Sequence, residues 1–440
     1  METSTVGKDL KLIALSSVGG ILEAFDFVIY LMMSKYLADK FFIGSEFNRL
    51  IWTYSVLAIG YFARPVGGLI LGHFGDRYGR KSVFLVSIFV MAVATFCIGL
   101  IPEYGEIGIF APAILIFFRL LQGLSLGGEV PGAIVFIHEH IRSDKKIFGQ
   151  AILIAGIFVG VLMASVTASV VSMVLTSSRM DLFGWRIPFL LGGVFGVFGF
   201  VMRMNMTETP AFIELRHEKQ ILSMPMLDII IGHKACFATA FFLILSIDTV
   251  ATFFYSIFPG FLMSVCKYKS LDTFLISSIN IAVFILFLLI VGFFRKSLFK
   301  GIGAYIVFFI LIMLSSFSIM YFVIGSKFLL LVLSFGAMSL FVSMLQPELM
   351  IILADLFPPK VRYSGAATSY NIASAIVGGV TPLAVTWLYF NTQSYLAPSC
   401  YMGFVCLIGV VSILFMPLCK KNIAKKEVIT NPFHPEYYKR

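Results

Sequence analysis

Charge is scarce in this chain. Asp, Glu, Lys and Arg make up only 13% of its 440 residues, whereas 59% are apolar. Mean hydropathy is +0.96. A soluble domain needs a charged exterior, and a chain with 47 Phe and so few charges cannot supply one. Histidine and cysteine are equally sparse, with six of each. The cysteines (97, 236, 266, 400, 406 and 419) lack metal-ligand spacing. His138 and His140 are two residues apart, the wrong separation for joint ligation from one helix. Nucleophile motifs and phosphate-binding loops are missing as well. A membrane enzyme is therefore disfavoured, and neither metal nor cofactor is expected. A cleavable leader is also not expected, because the first apolar run begins near Leu10 without a short core and cleavage site. Cys266 and Cys400 both fall near outer ends of apolar runs, so a disulfide between them stays open.

What the chain has in abundance is long apolar runs. They lie near 11–35, 49–74, 81–101, 107–137, 147–175 and 184–204, then near 234–264, 270–294, 299–323, 326–353, 363–391 and 396–419. About 20 apolar residues cross a hydrocarbon core of ~30 Å as a helix. Continuous runs exclude a transmembrane barrel, whose strands alternate. The expected fold class is an all-α polytopic membrane protein with twelve helices in two pseudo-symmetric six-helix bundles. The expected divisions are a bundle over 1–204, a cytoplasmic linker over 205–233, a second bundle over 234–419 and a cytoplasmic tail over 420–440.

The net charge of +10 could suggest nucleic acid, but its distribution points elsewhere. With both termini cytoplasmic, most of the 33 Lys and Arg fall on the inner side, among them Arg77, Arg80, Lys81, Arg142 and Lys145. That is the positive-inside pattern of an even number of spans. The basic balance thus reports topology and contact with anionic lipid headgroups. The halves also align at an offset of 216 residues, which carries Glu139 onto Asp355 and Lys146 onto Arg362. The charged loop at 72–81 then falls on 288–297, where Arg295 and Lys296 remain but the acid and the glycines are gone. A duplicated bundle is the reading.

A charge at the centre of a span costs about 2.5–3.5 kcal/mol or more, so those present need a reason. Glu23 and Asp26 share a face of the first span. Arg64 lies in the second, Arg119, Gln122 and Glu129 in the fourth, and Asp248 in the seventh. Gln122 and Glu129, seven apart, share a stripe of their helix. Gly123, Gly127, Gly128 and Gly132 give the fourth span two small-xxx-small pairs for close helix contact. One reading is a solvated cavity in which an arginine binds a substrate carboxylate and a nearby acid carries a proton. The other is a set of ion pairs that lock the bundle. Under the offset, Asp26, Arg64 and Arg119 fall on Phe242, Asn280 and Phe335, so the second half has lost most of this charge.

The loop between spans two and three reads Gly72-His73-Phe74-Gly75-Asp76-Arg77-Tyr78-Gly79-Arg80-Lys81. Asp76 is placed to cap a neighbouring helix, and Arg77 and Arg80 to bridge to Glu139 or to the start of span eleven. Such pairs bias a two-state equilibrium. This loop resembles the cytoplasmic signature of the major facilitator superfamily. Glu23-Ala24-Phe25-Asp26-Phe27, Phe62 to Gly68, Arg119 to Glu129, Gly184-Trp185-Arg186-Ile187-Pro188-Phe189, Glu208-Thr209-Pro210-Ala211-Phe212, and Leu356 to Asn371 are similar to the metabolite:proton symporter branch. Thr95 to Pro102 is similar to the proline/betaine transporters of that branch.

The resemblance implies alternating access around a central site, powered by the proton gradient, in a monomer of the cell (inner) membrane. It implies a small carboxylate-bearing solute such as proline or glycine betaine, with a di- or tricarboxylate or another amino acid as the alternative. Expected substrate contacts are Arg119, Asp26, Gln122, Asp248, Tyr370 and Asn371. Expected proton carriers are Glu23, Asp26 and Glu129. The expected gating motif is Gly72, Asp76, Arg77, Gly79, Arg80 and Glu139. Some osmosensing relatives carry a long C-terminal coiled coil, whereas about 20 residues follow Cys419 here. A membrane sensor without flux is the remote third class.

Overall fold

The computed structural model describes residues 2–204, 206–217, 233–258, 261–262, 270–294, 301–324 and 328–430. Every regular element among them is helical. The chain divides into two compact units, Met1–Ile221 and Leu222–Arg440.

Unit 1 holds α1 (Glu2–Met32), α2 (Ser34–Phe41), α3 (Glu46–Tyr78), α4 (Arg80–Ile98), α5 (Tyr104–Ile107), α6 (Phe110–Leu126), α7 (Glu129–His140), α8 (Lys146–Val174), α9 (Ser177–Leu182), α10 (Ile187–Met204) and α11 (Pro210–His217). Unit 2 holds α12 (Lys234–Thr252), which runs on through a π-helical turn at Phe253–Ile257, then α13 (Ser270–Phe294), α14 (Ile302–Ile324), α15 (Phe328–Asp355), α16 (Arg362–Thr392) and α17 (Ala397–Thr430).

Eleven described segments are long and apolar enough to cross a bilayer. The 31-residue α16 supplies a twelfth of sufficient length. Their outward faces are apolar, as lipid requires: Phe62, Phe198, Phe293 and Phe404 are all more than 60% exposed. Hydroxyl side chains inside the spans return their hydrogen bonds to the preceding turn, as Ser17 does to the Ile13 carbonyl and Thr53 to Arg49.

The two units share one packing scheme. In unit 1 the first span packs on the fifth (α1 on α8), the second on the fourth (α3 on α6) and the third on the sixth (α4 on α10). In unit 2 the same pairing recurs as α12 on α16, α13 on α15 and α14 on α17. The duplication inferred from the sequence offset is thus repeated in the helix neighbours.

Two features differ from a plain set of rods. Span four breaks at Gly127–Gly128, between α6 and α7, although its apolar run is continuous. Nearby, α3 and α6 touch backbone to backbone. A Cβ at Gly67 would overlap the Leu124 main chain, one at Gly123 the Gly60 carbonyl, and one at Gly127 the Gly67–Gly68 peptide. The small-residue spacing of span four therefore serves contact with span two. At the other junction, Gly79 has φ 107°, a conformation open to glycine, and turns α3 into α4.

The first residues of the expected linker pack on unit 1. Met206, Thr209 and Phe212 are buried on unit 1, and the unit boundary falls further on. The rest of the linker, 218–232, lies outside the described residues, as do Arg295, Lys296 and Cys266. The last helix continues to Thr430, into the region expected as a tail.

Candidate functional site

Unit 1 gathers its membrane charges into three acid–arginine pairs. In the first, Arg119 of α6 meets Asp26 of α1 at 2.9 Å. Two more donors converge on the same carboxylate, Thr95 Oγ1 at 2.8 Å and Gln122 Nε2 at 2.7 Å. The Arg119 guanidinium lies 3.7 Å from the Tyr30 ring centroid, a cation–π contact. Tyr30 is fixed in turn by its hydroxyl, which donates to the Thr53 carbonyl at 2.9 Å. Asp26, Arg119 and Gln122 are all under 5% exposed. Yet Arg119 Nε and Nη2 and Gln122 Oε1 have no hydrogen-bond partner among the described residues. Buried polar atoms of this kind are costly unless water or a ligand meets them.

In the second pair Arg64 Nη2 of α3 donates to Glu23 Oε1 of α1 at 2.6 Å. In the third, Arg203 of α10 is bonded to Glu129 Oε1 of α7. Arg203 also donates to the Leu15 carbonyl at 2.9 Å and the Ser16 carbonyl at 2.8 Å.

These pairs supply the partners that sequence spacing left open. Gln122 and Glu129, on either side of the break at Gly127–Gly128, both face α1, Gln122 at Asp26 and Glu129 at Gly19, where Glu129 also takes Arg203. Glu23 and Asp26 share a face of α1 but take separate arginines. Arg203, in the last turn of α10 and not singled out from the sequence, is fully buried.

The segment expected as the signature loop is helical except at Gly79, with α3 running to Tyr78 and α4 starting at Arg80, and it forms a smaller network. Arg80, fully buried, reaches Asp76 at 3.1 Å and Glu139 at 3.5 Å. Gly72 and Gly79 are buried with it. Of the two arginines expected to bridge to Glu139 or to the start of span eleven, Arg80 takes Glu139, while Arg77 points outward with its guanidinium over the Tyr78 ring. The carboxylate that caps α4 is one that sequence reasoning missed. Glu208 accepts the Arg80 and Lys81 backbone N–H groups at 2.9 and 3.2 Å, and Phe212 lies over the Arg80 guanidinium. An acid at a helix N-terminus satisfies orphan donors and suits the helix dipole. The Glu208-Thr209-Pro210-Ala211-Phe212 motif is therefore the clasp of the signature loop. The signal for it was the spacing of an acid two residues ahead of a helix-starting Pro.

The other quoted motif, Gly184 to Phe189, closes the opposite end. Trp185 is fully buried between Phe41 and Phe189, and Arg186 donates to the Gly99 and Ile101 carbonyls at 3.2 and 2.6 Å.

Unit 2 has no comparable ladder of charge among its described residues. Asp248 of α12 accepts a hydrogen bond from Ser374 of α16 at 3.0 Å. Tyr370 and Asn371 lie one turn earlier on α16, and Asn371 is fully buried. Phe335, at the position matching Arg119, packs against Phe254 and Phe258. Asn280, matching Arg64, accepts from Ser339, which itself accepts from Tyr255. Gln346 and Glu348 of α15 are buried as well and were not singled out from the sequence.

Eleven helices long and apolar enough to span a bilayer, and a twelfth of matching length, are paired alike in the two units, and three acid–arginine pairs are buried in unit 1. The Major Facilitator Superfamily profile matches residues 16–326, and the chain belongs to that family. A putative proline/betaine transporter of Staphylococcus aureus (strain MSSA476) is 32% identical over 93% of this chain and 89% of its own. The glycine betaine/proline/ectoine/pipecolic acid transporter OusA of Dickeya dadantii is 29% identical over 93% and 83%. The proline/betaine transporter of Escherichia coli K12 is 29% identical over 92% and 83%. Among solved structures, the proton:xylose symporter XylE bound to 6-bromo-6-deoxy-D-glucose superposes with a TM-score of 0.75, over 93% of this chain and 95% of that one, at 14% identity. The last comparison speaks for the fold alone.

Proposed function

We propose that the chain is a proton-coupled symporter of small zwitterions that combine a carboxylate with a cationic nitrogen, proline and glycine betaine foremost. The observation that carries this reading is the Asp26–Arg119–Gln122 cluster, a charged group held inside the membrane with donor positions left over. Arg119 spends one terminal nitrogen on Asp26 and keeps Nε and Nη2, the edge that grips a carboxylate in a fork. The solutes in the relatives' names, proline, glycine betaine, ectoine and pipecolic acid, all carry that carboxylate. The Tyr30 ring beside Arg119 adds an aromatic face, and Asp248 is the acid of unit 2 proposed to contact the solute. Tyr370 and Asn371 supply further polar contacts in this reading.

Glu23, Asp26 and Glu129 are the groups proposed to take up and release protons during alternating access. The Asp76–Arg80–Glu139 network biases which conformation is populated. The protein works as a monomer of the cell membrane, with both termini cytoplasmic.

The test is uptake by purified protein in proteoliposomes, with labelled proline, glycine betaine, a dicarboxylate and a tricarboxylate offered in parallel. Proline or betaine accumulates when the outside is made acid and is released by a protonophore. Accumulation that ignores the pH gradient sinks the coupling, and preference for the dicarboxylate sinks the solute class.

A further inference from the structure

Gly19, Glu23, Asp26 and Tyr30 stand at intervals of four, three and four, so they form one stripe along α1. The three acid–arginine pairs are strung along that stripe, over a rise of about 10 Å between Gly19 and Asp26 at 1.5 Å per residue. Their arginines are built differently. Arg119 has two nitrogens without a partner, which suits a ligand that comes and goes. Arg203 has all three nitrogens engaged, two of them on the Leu15 and Ser16 carbonyls and one on Glu129. Phe84 of α4 lies against its guanidinium. Two of those anchors are backbone groups of α1, so Arg203 stays in place whether or not Glu129 bears a charge. A counter-ion with that property suits an acid that must gain and lose a proton repeatedly.

Glu129 fits the part. It is 1% exposed, and its Oε2 has no hydrogen-bond partner among the described residues. It sits just past the break in span four, on the signature-loop side of the other two pairs. Its place against α1 exists because residue 19 is glycine. A Cβ there would overlap the Glu129 carboxylate and crowd the Arg203 guanidinium.

We propose that Glu129 is a separate proton station on the signature-loop side of unit 1, and that Arg203 is the positioning residue that holds it in the notch at Gly19. Substrate is bound at Arg119, and the proton leaves by way of Glu129. This rests on the proton-coupled reading above. Among the described residues, charged groups on the elements packed around Glu129 include Arg203 on α10, Glu23 and Asp26 on α1, each with its own arginine, Arg80 and Lys81 at the start of α4, Lys146 on α8, which meets His138, Glu139 and His140 further along α7, and Glu214 and Arg216 on α11. Of these, Arg203 alone is bonded to Glu129.

The experiment compares wild type with Glu129→Gln, Arg203→Gln, Arg203→Lys and Gly19→Ala in proteoliposomes, using labelled proline and labelled glycine betaine. Two rates are read, accumulation driven by a pH gradient and solute exchange at equal pH. Glu129→Gln and Arg203→Gln lose accumulation far more than exchange. Arg203→Lys restores part of it. Gly19→Ala, with every charge in place, moves the pH profile of exchange. Infrared difference spectra of the full-length protein between acid and neutral pH, taken without solute, provide an independent reading. A protonated-carboxyl band lost in Glu129→Gln and shifted in Arg203→Gln is expected. Accumulation retained in Glu129→Gln, or accumulation and exchange lost in equal measure from well-folded protein, overturns the proposal. So does an infrared spectrum in which the Glu129→Gln trace matches wild type. Should wild type accumulate neither solute, the symport reading fails by itself, and the infrared comparison still decides whether Glu129 titrates under the control of Arg203.

Discussion

Arg119→Ala separates a binding role from a scaffolding one, because the structure assigns the side chain a single ion pair and leaves two nitrogens over. A charge-assisted hydrogen bond to a bound carboxylate is worth about 1.5–3 kcal/mol, so affinity for proline or betaine should fall by about 10- to 150-fold. The truncation also strips Asp26 of its counter-charge, although Thr95 and Gln122 still donate to it at 2.8 and 2.7 Å. Breaking a buried pair costs about 3–5 kcal/mol, so the variant melts lower. Combining Arg119→Ala with Asp26→Asn removes the orphaned charge, and stability should recover towards wild type. Affinity should not recover, since the fork is still missing. Arg119→Lys keeps the charge but has one ammonium for two tasks, and falls between wild type and Ala. The assay is scintillation proximity binding on detergent-purified protein, with the melting temperature recorded for each variant. Unchanged affinity in folded Arg119→Ala, or affinity that returns in the double variant, would refute the argument.

Other outcomes are expected. Glu208→Ala loses the cap of α4, worth about 0.5–2 kcal/mol, and lowers the thermal midpoint measured by size-exclusion fluorescence. Gly67→Val drives a side chain into the Leu124 main chain and should yield no monodisperse protein on size exclusion, whereas Gly105→Val, in open space, should behave as wild type. Asp76→Asn removes the charge facing buried Arg80 and should lower the transport rate at equal membrane abundance; equal rates would count against a conformational role for the pair.

The burial of Glu23, Asp26, Arg64, Arg119 and Glu129 was legible in the sequence because they fall well inside apolar runs, and the signature segment announced itself by contrast with its surroundings. Partnership was not legible. Which acid meets which arginine depends on how each helix is rotated about its own axis, and sequence spacing fixes only relative positions within one helix. Glu129 and Gln122 were placed on one stripe and both do face α1, but their spacing does not give Arg203 as the partner of one and Asp26 of the other. Arg203 escaped because a basic residue at the end of a span looks like a topology signal, and only the α1 carbonyls that receive it distinguish it from one. Glu208 escaped because a polar stretch between two bundles reads as linker until its first residues are seen folded back onto α4.

The glycine seam between α3 and α6 has a mechanical consequence. Gly60 faces the carbonyl of Arg119, and Gly127 faces the carbonyl of Arg64, so each arginine is gripped at its own backbone by a glycine of the other helix. The separation between the two guanidinium roots is therefore set by main-chain contact rather than by side chains that could change rotamer. A bilayer that thins or thickens tilts helices to match. Here the two helices must tilt as one body, carrying both cations with unchanged spacing, like two marks on a ruler. Adjusting to a different membrane leaves the charge geometry of the bundle alone, and whatever moves during transport has to move around it.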